Sequence, residues 1–529
     1  MSGVAGAFVL PSSRSKKTAY DQLKHMVPKL ENRGQAGFGV AAFMHEGGFQ
    51  YTKSCRPPGK LARIGHDEQD ARFRANVAIA HVRTPSFTVK SYADLQPLDN
   101  HKAGLRHLAV CLNGALVNAD ELREELRTEG HPFSSKLDAE VLLRLTDRIC
   151  QRDYWQHALP VDYEKVFQEI DRLVDGAVSA LMLDGLGNLT AFRNRSGLRP
   201  LEFMQTEDGF LLFASENSAF YGLKGQIDEI RPSHIKHVNG RTGDCLDRFV
   251  GRDRHSPKLC AYETLYLANA RTMVRGQSNL TTRRNIGLNL GRVLWPQLPV
   301  ETSSAPIIVA SMPRTGAPYA DGLFSSLLKQ KAVLVERDEV VAIGCHQRTL
   351  IGVLGERKSL ISQKYRLNGR NVRNRNIIVA DEALIRGDTS RAITKMLLGA
   401  GAKAVHWAIG SPPIVAPNYY GMGIETIDEL AFWRIWKTLP TEMRQESLRF
   451  HRIAPQTLEV IQRKIALSIN AATVTYLPFQ TFLTLLPQGH DGIDLSAFTF
   501  EMPTPAGQKR ANENLSRFIS DQLEKKSSE

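Results

Sequence analysis

Two adjacent carboxylates, Asp381 and Glu382, close an apolar run at 377–380, and a small donor-rich turn, Arg386-Gly387-Asp388-Thr389-Ser390, follows them. The apolar run reads as a buried strand, and 392–398 reads as a helix. A helix N-terminus presents backbone N–H groups and the positive end of its dipole, which suit a phosphate. The carboxylates can accept hydrogen bonds from ribose hydroxyls. Strand, acidic pair, hydroxyl-rich turn and helix start together suit a phosphorylated sugar. The same residues also compose an ordinary strand-to-helix turn with a cap, and this stretch alone does not separate the two readings.

The stretch resembles the phosphoribosyl pyrophosphate (PRPP) loop of type I phosphoribosyltransferases. Cys260-Ala-Tyr-Glu-Thr-Leu-Tyr-Leu-Ala-Asn-Ala-Arg271 is similar to the segment that opens the transferase domain of amidophosphoribosyltransferases. The run from Ser411 to Leu430, with its double proline, Tyr420-Gly421 and closing Glu429-Leu430, is similar to that family's segment after the PRPP loop. In the other half, Asn32-Arg-Gly-Gln35, Ala80-His-Val-Arg83, Leu112-Asn-Gly-Ala-Leu-Val-Asn118, Asp138-Ala-Glu140, Arg195-Ser-Gly-Leu-Arg-Pro-Leu201 and Ala214-Ser-Glu216 occur in the family's order. The resemblance covers about residues 1–480. It implies a two-domain chain of α/β and α+β class. An N-terminal αββα, Ntn-type glutamine amidotransferase domain would span 1–252, a type I phosphoribosyltransferase domain 258–485, and a tail 486–529.

The family uses PRPP and glutamine in the first committed step of purine synthesis, and its glutamine half works with an N-terminal cysteine exposed when Met1 is removed. This chain opens Met1-Ser2-Gly3-Val4. A thiol is partly ionised near neutral pH and intrinsically nucleophilic, whereas a hydroxyl needs a base. The α-amino group, with a reference pKa of about 7.7–8.0, is suited to be that base. Ser2 therefore marks the nucleophile position, and the expectation is an impaired glutaminase. The remaining reading is a Ser2-dependent amidohydrolase acting on another amide. By resemblance, Arg83 binds the α-carboxylate of glutamine and Asp138 its α-amino group, an arrangement complementary to a zwitterion. Asn113 and Gly114 supply the oxyanion hole.

In the transferase half, the resemblance puts Arg386, Gly387, Thr389 and Ser390 on the 5-phosphate and Asp381 and Glu382 on the ribose. Mg²⁺ bridges PRPP oxygens, and the acidic pair is also the expected metal contact. Gln347-Arg348-Thr349-Leu350-Ile351 resembles the start of a catalytic loop. Arg348 is expected at PRPP, and Arg357 and Lys364 repeat the loop's Arg…Lys spacing. Cations brought over departing pyrophosphate stabilise charge and exclude water. The expected reaction is transfer of an amine, ammonia, to C1 of PRPP with release of pyrophosphate. The alternative is a non-catalytic homologue that binds PRPP, a nucleotide or an amino acid as a regulator.

Several residues depart from the family's pattern. Pro313-Arg314-Thr315 replaces Pro-Asp-Ser in the pyrophosphate loop, so Arg314 either pairs with pyrophosphate or faces solvent. Glu382 replaces an aspartate, Asp388 a threonine, and Thr272-Met-Val274 replaces Pro-Asp-Ser. Some members carry a four-cysteine iron–sulfur cluster. Here the six cysteines are Cys55, Cys111, Cys150, Cys245, Cys260 and Cys345, with no C-x-x-C pair. Only Cys260 stands at a ligand position, with Asn418 and 496–500 at the others. Four thiolates are needed, so neither a cluster nor a zinc site is expected, and the cysteines are expected reduced and mostly buried.

The elements that must position these groups follow from patterning. Strand-like runs at 38–43, 77–80, 108–112 and 177–183 and helical stretches at 119–128 and 138–150 fill the first half. A charged, proline-bearing linker falls near 252–258. Alternating strands and helices then predict a parallel sheet flanked by helices, with 307–310 a strand leading into Ser311-Met-Pro-Arg-Thr-Gly316. Beyond Pro487 clear periodicity is lost, and 509–529 reads as a charged, frayed helix. The chain has 529 residues and 42% hydrophobic content, enough for roughly two to four domains. No run of eighteen apolar residues is present, which excludes a membrane-spanning helix. The start lacks the features of a signal peptide, so a cytoplasmic protein is expected. The net charge of +13 is spread apart from a cluster at 366–375. Anionic PRPP accounts for it better than nucleic acid does. The family suggests a homo-oligomer with nucleotide feedback.

Overall fold

The computed structural model describes residues 2–44, 48–63, 75–84, 94–252, 258–298, 306–330, 334–344, 364–368, 372–487 and 492–527. In the first half, two antiparallel sheets stack face to face. The strand Ser2–Val9 lies in the middle of a seven-stranded sheet, between Phe210–Ala214 and Val77–Arg83. The second sheet has six strands, with Leu108–Leu116 and Gly176–Asp184 paired near its end. Alternation sorts the side chains of each strand to opposite faces. Val4, Phe8, Ile79, Cys111 and Leu181 fill the space between the sheets. Ala5, Ala7, Ala78 and Ala80 turn outward under the helix Ala19–Met26. On the other outer face, Val110, Leu112 and Val178 pack against Asp138–Asp153 and Tyr163–Leu173. These are the four layers, helix–sheet–sheet–helix, that the resemblance implied.

The second half is built on a five-stranded parallel sheet in which Ile307–Ser311, Asn376–Asp381 and Ala404–Ile409 are central. Ile377, Ile378, Val379 and Ala380 are fully buried, as expected of a parallel strand covered on both faces. Parallel strands place all their C-terminal ends along one edge, where α/β proteins build their sites. Ser311, Asp381 and Ile409 end there together.

The stretch beyond Pro487, which lacks periodicity in sequence, is packed into this half. Ile493–Asp494 pairs in parallel with Leu259–Cys260. Phe498, Phe500, Ala511 and Phe518 belong to the same core as the parallel sheet. The terminal helix runs Pro505–Ser527 and thus begins before 509. Near its start the Ala506 N–H donates to Asp175 of the first half, 3.2 Å. Of the five described cysteines, Cys111, Cys150 and Cys260 are buried and Cys55 and Cys245 exposed. Among the described residues, no helix is long and apolar enough to cross a membrane.

Candidate functional site

Ser2 and Arg83 face each other directly across the antiparallel pair of the first sheet. Ser2 is 6% exposed. Arg83 lies within electrostatic reach of Asp94 and Asp138, while burial pulls its guanidinium below the usual range. Asp138 begins its helix and accepts the Leu116 N–H at 2.9 Å. Burial raises its carboxyl, and that N–H bond and Arg123 oppose the rise. Asn113 and Gly114 lie on the strand that ends at Leu116. Ser215 ties these parts together: its Oγ accepts from the Val4 N–H at 2.9 Å and from Asn113 Nδ2 at 3.3 Å. One hydroxyl thus fixes both the strand that carries Ser2 and the expected oxyanion-hole amide.

The second group lines a cavity of about 390 Å³ at the C-terminal edge of the parallel sheet. Asp381, Glu382, Arg386, Gly387, Thr389, Ser390 and Lys364 all border it. Asp381 is the last residue of its strand. Its enclosure, with Glu382 adjacent, holds its carboxyl well above the usual range, an effect Lys364 opposes. Glu382 accepts from the Thr315 hydroxyl of the preceding loop, 2.7 Å. The helix that follows begins at Asp388, not near 392. Gly387 caps it at φ 82°, a left-handed conformation that glycine adopts without a Cβ penalty. Thr389 and Ser390 therefore belong to the first turn, whose N–H groups have no partner within the helix. Asp388 lies 3.6 Å from Arg434 and 3.7 Å from Arg391, so two cations offset the acid beside the expected phosphate position. The Arg386 guanidinium donates to Glu429 and to the Gly423 carbonyl.

Arg348, Arg357, Cys345 and the linker residues 253–257 lie outside the described residues. Arg314 adopts φ 81° and donates to Gln35 of the first half at 3.0 Å. Gln35 and Asn32 also line the cavity, so the first half forms part of its wall. Cys260 lies opposite Asp494 in the parallel pair. Among the described residues, no group of three or more His, Cys, Asp or Glu is arranged to hold a metal ion.

A glutamine amidotransferase domain model matches residues 81–222. Amidophosphoribosyltransferases match along most of the chain. That of Pyrococcus horikoshii is 29% identical over 456 residues, covering 85% of this chain and 90% of its own length. Those of Methanothermobacter thermautotrophicus (28% identical; 81% and 84% covered) and Archaeoglobus fulgidus (27% identical; 81% and 87% covered) match similarly. Along most of its length the chain is thus similar to amidophosphoribosyltransferases. Two solved structures share the fold along nearly their whole length. One is the glutamine PRPP amidotransferase from B. subtilis complexed with ADP and GMP, with a TM-score of 0.72, 22% identity, and 95% and 98% coverage. The other is described as the allosteric regulatory enzyme of purine biosynthesis, with a TM-score of 0.72, 21% identity, and 96% and 99% coverage.

The two groups of site residues are joined by a cluster to which the sequence reading assigned no role. Arg33 pairs with Glu216 and with Glu263, each at 2.5 Å, and Arg199 pairs with Glu263 at 2.9 Å. All four side chains are buried. Glu216 also accepts from Asn32, from Thr272 and from the Asn269 N–H. Each residue lies in a motif quoted for the family resemblance. Arg33 and Glu216 stand among polar sequence neighbours, Asn32 and Gln35 for one and Ser215 and Asn217 for the other, so nothing local marked them as buried charges that must pair.

Proposed function

We propose that this chain is a phosphoribosyltransferase that transfers ammonia to C1 of PRPP and releases pyrophosphate, with its glutaminase half impaired. The observation that carries the reading is the union, on one cavity wall, of the acidic pair with a glycine-capped helix start. Thr389 and Ser390 N–H groups, with the helix dipole behind them, hold the 5-phosphate. Asp381 and Glu382 accept hydrogen bonds from the ribose hydroxyls.

The nitrogen lone pair forms the bond to C1 as the C1–oxygen bond breaks, and its electrons leave with pyrophosphate. The new ammonium then loses a proton to solvent. Lys364 and Arg314 border the same cavity and face the departing charge, with Arg348 and Arg357 expected to join them. Two adjacent carboxylates in an enclosed wall, one of them with a raised pKa, suit a cation between them and the substrate. Mg²⁺ bound with PRPP supplies neutralisation of the pyrophosphate oxygens.

Arg83, Asp138, Asn113 and Gly114 form the glutamine pocket in this reading, and Ser2 occupies the nucleophile position without a thiol. Free ammonia or ammonia from a partner is then the donor. A cytoplasmic homo-oligomer is the setting that the reading implies. Calorimetric titration with PRPP and Mg²⁺ tests it. Binding that is lost in Asp381→Asn supports it, and the absence of heat in the unaltered protein refutes it.

Ser2 and Arg314 together favour a second reading, a non-catalytic homologue that binds PRPP, a nucleotide or an amino acid as a regulator. PRPP binding without turnover in ammonia selects that reading.

A further inference from the structure

One residue of the Asp138-Ala-Glu140 motif has no part in the chemistry above. Glu140 is 2% exposed and lies in the first turn of the helix that Asp138 begins. Its carboxylate reaches back to the two serines that precede that helix. It accepts from the Ser134 N–H at 2.8 Å and hydroxyl at 3.0 Å, and from the Ser135 N–H at 2.6 Å and hydroxyl at 2.8 Å. Its own N–H donates to the Leu137 carbonyl at 3.0 Å. Segment 134–140 is thereby closed into a ring. Leu137, at the cap position of the helix, contributes no side-chain hydrogen bond.

Burial does little to fix this segment, because Ser134 and Lys136 are exposed and Ser135 and Leu137 only half-buried. Arg123 donates to the Ser135 carbonyl at 2.9 Å, and the Ser135 hydroxyl accepts the Leu137 N–H at 3.2 Å. Arg144, one turn further along the helix at 3.4 Å, balances the Glu140 charge. Burial alone would raise the Glu140 carboxyl, but the bonds from Ser134 and Ser135 outweigh it and hold the group below its usual range. It therefore stays a charged acceptor near neutral pH. Asp138 follows the ring directly. Its Oδ2 is taken by the Leu116 N–H at 2.9 Å, and Oδ1 is the oxygen left for a ligand. The direction of Oδ1 is set by two anchors, the Leu116 N–H and the path of the chain through 134–137. A binding group works only when its supporting shell holds it to within about 0.5 Å.

We infer that Glu140 is a positioning residue that sets the pocket's preference for ligands with an α-ammonium group, by fixing the segment that presents Asp138. The inference rests on the proposed pocket of Arg83 and Asp138, and it adds the residue that shapes that pocket's specificity. Glu140 itself touches no ligand. An ammonium held by Asp138 gains a charge-assisted hydrogen bond, which corresponds to about tenfold in affinity or more. Arg83 is carried by a strand of the first sheet and does not depend on segment 134–137. Loss of Glu140 is therefore felt at the ammonium end of the ligand and not at its carboxylate.

The test uses the whole protein and two probes, L-glutamine and glutaramate, which is glutamine without its α-amino group. Calorimetry gives the ratio of their affinities. The unaltered protein is expected to favour L-glutamine by about tenfold or more. Glu140→Gln is expected to bring that ratio below about threefold, with glutaramate affinity within about twofold of that of the unaltered protein. A variant that keeps the full ratio overturns the inference. So does one that weakens both probes equally, which is what a merely structural role would do. An unaltered protein that binds neither probe, or does not distinguish them, overturns the reading of the pocket itself and the inference with it. Should Glu140→Gln fail to fold with Arg144 left unpaired, the double variant Ser134→Ala, Ser135→Ala decides. It removes two of the four bonds and no charge, and it is expected to lower the ratio by about twofold or more. An unchanged ratio in that variant overturns the inference.

Discussion

Arg33, in the turn that follows the first helix, and Glu263, at the start of the transferase half, are joined by a 2.5 Å ion pair with each side chain 1% exposed. Burial alone would raise the Glu263 carboxyl, but Arg33 and Arg199 outweigh it and hold the group below its usual range. The pair is one link in a neutral set of two arginines and two glutamates that crosses between the halves. Removing one partner from a buried set leaves uncompensated charge, which costs about 3–5 kcal/mol. Arg33→Met is therefore expected to lower the urea midpoint by that amount of stability. A loss below about 1 kcal/mol, the range of surface pairs, would show that the cluster is solvated in solution.

The nucleophile position gives a sharper prediction. Ser2 lies opposite Arg83, in a strand fixed by Ser215. If only the thiol is missing, Ser2→Cys restores glutamine hydrolysis. Glutamate release is expected to rise at least tenfold, equivalent to about 1.4 kcal/mol of barrier. No rise would mean that the pocket is altered beyond its nucleophile.

At the acidic pair, Asp381→Asn removes charge while keeping shape. Preorganised electrostatic groups each contribute on the order of 10²–10³ in rate. A loss of that size in pyrophosphate release with ammonia is expected, with the circular dichroism spectrum unchanged. Retention of more than about half the rate would remove Asp381 from the substrate contacts, since even a tenfold loss corresponds to only about 1.4 kcal/mol.

Glu202 sets a pH dependence. It is buried on a strand of the seven-stranded sheet, where burial first and Glu229 second push its carboxyl up to about 8, against Arg193. The folded form thus binds a proton more tightly than the unfolded chain. The resulting contribution to stability is fully present below the ordinary carboxyl value of 4.5 and is lost as pH rises through about 8. Glu202→Gln removes the titration, so its melting temperature is expected to fall less between pH 5 and 9 than that of the unaltered protein. At about 1.4 kcal/mol per pKa unit, the difference has a ceiling of about 5 kcal/mol. Parallel pH profiles would show that Glu202 titrates normally.

Much of this architecture is legible in the chain because buried strands advertise themselves. The runs at 38–43, 77–80, 108–112, 177–183 and 377–380 all lie inside observed strands, since a strand buried on both faces must be apolar throughout. The acidic pair was legible because it breaks such a run at its end. The helix start at Asp388 was not, because polar turn residues hide a first turn whose geometry is set by Gly387. The packing of 493–518 was hidden as well. Ile493–Asp494 and Ser496–Thr499 are too short to give a period, and the aromatic residues of the stretch are buried by distant partners, as Phe518 is by Trp433, with ring centroids 5.1 Å apart. Gly421 packs so closely on Gly114 that a Cβ on it would lie 3.2 Å from the Gly114 carbonyl oxygen, and nothing local encodes that long-range contact.

The most direct test of the account is pyrophosphate release from PRPP and Mg²⁺, measured in parallel with ammonia and with glutamine. The account predicts release with ammonia and little with glutamine. Equal release with both would contradict the impaired glutaminase, and release with neither would contradict the transferase.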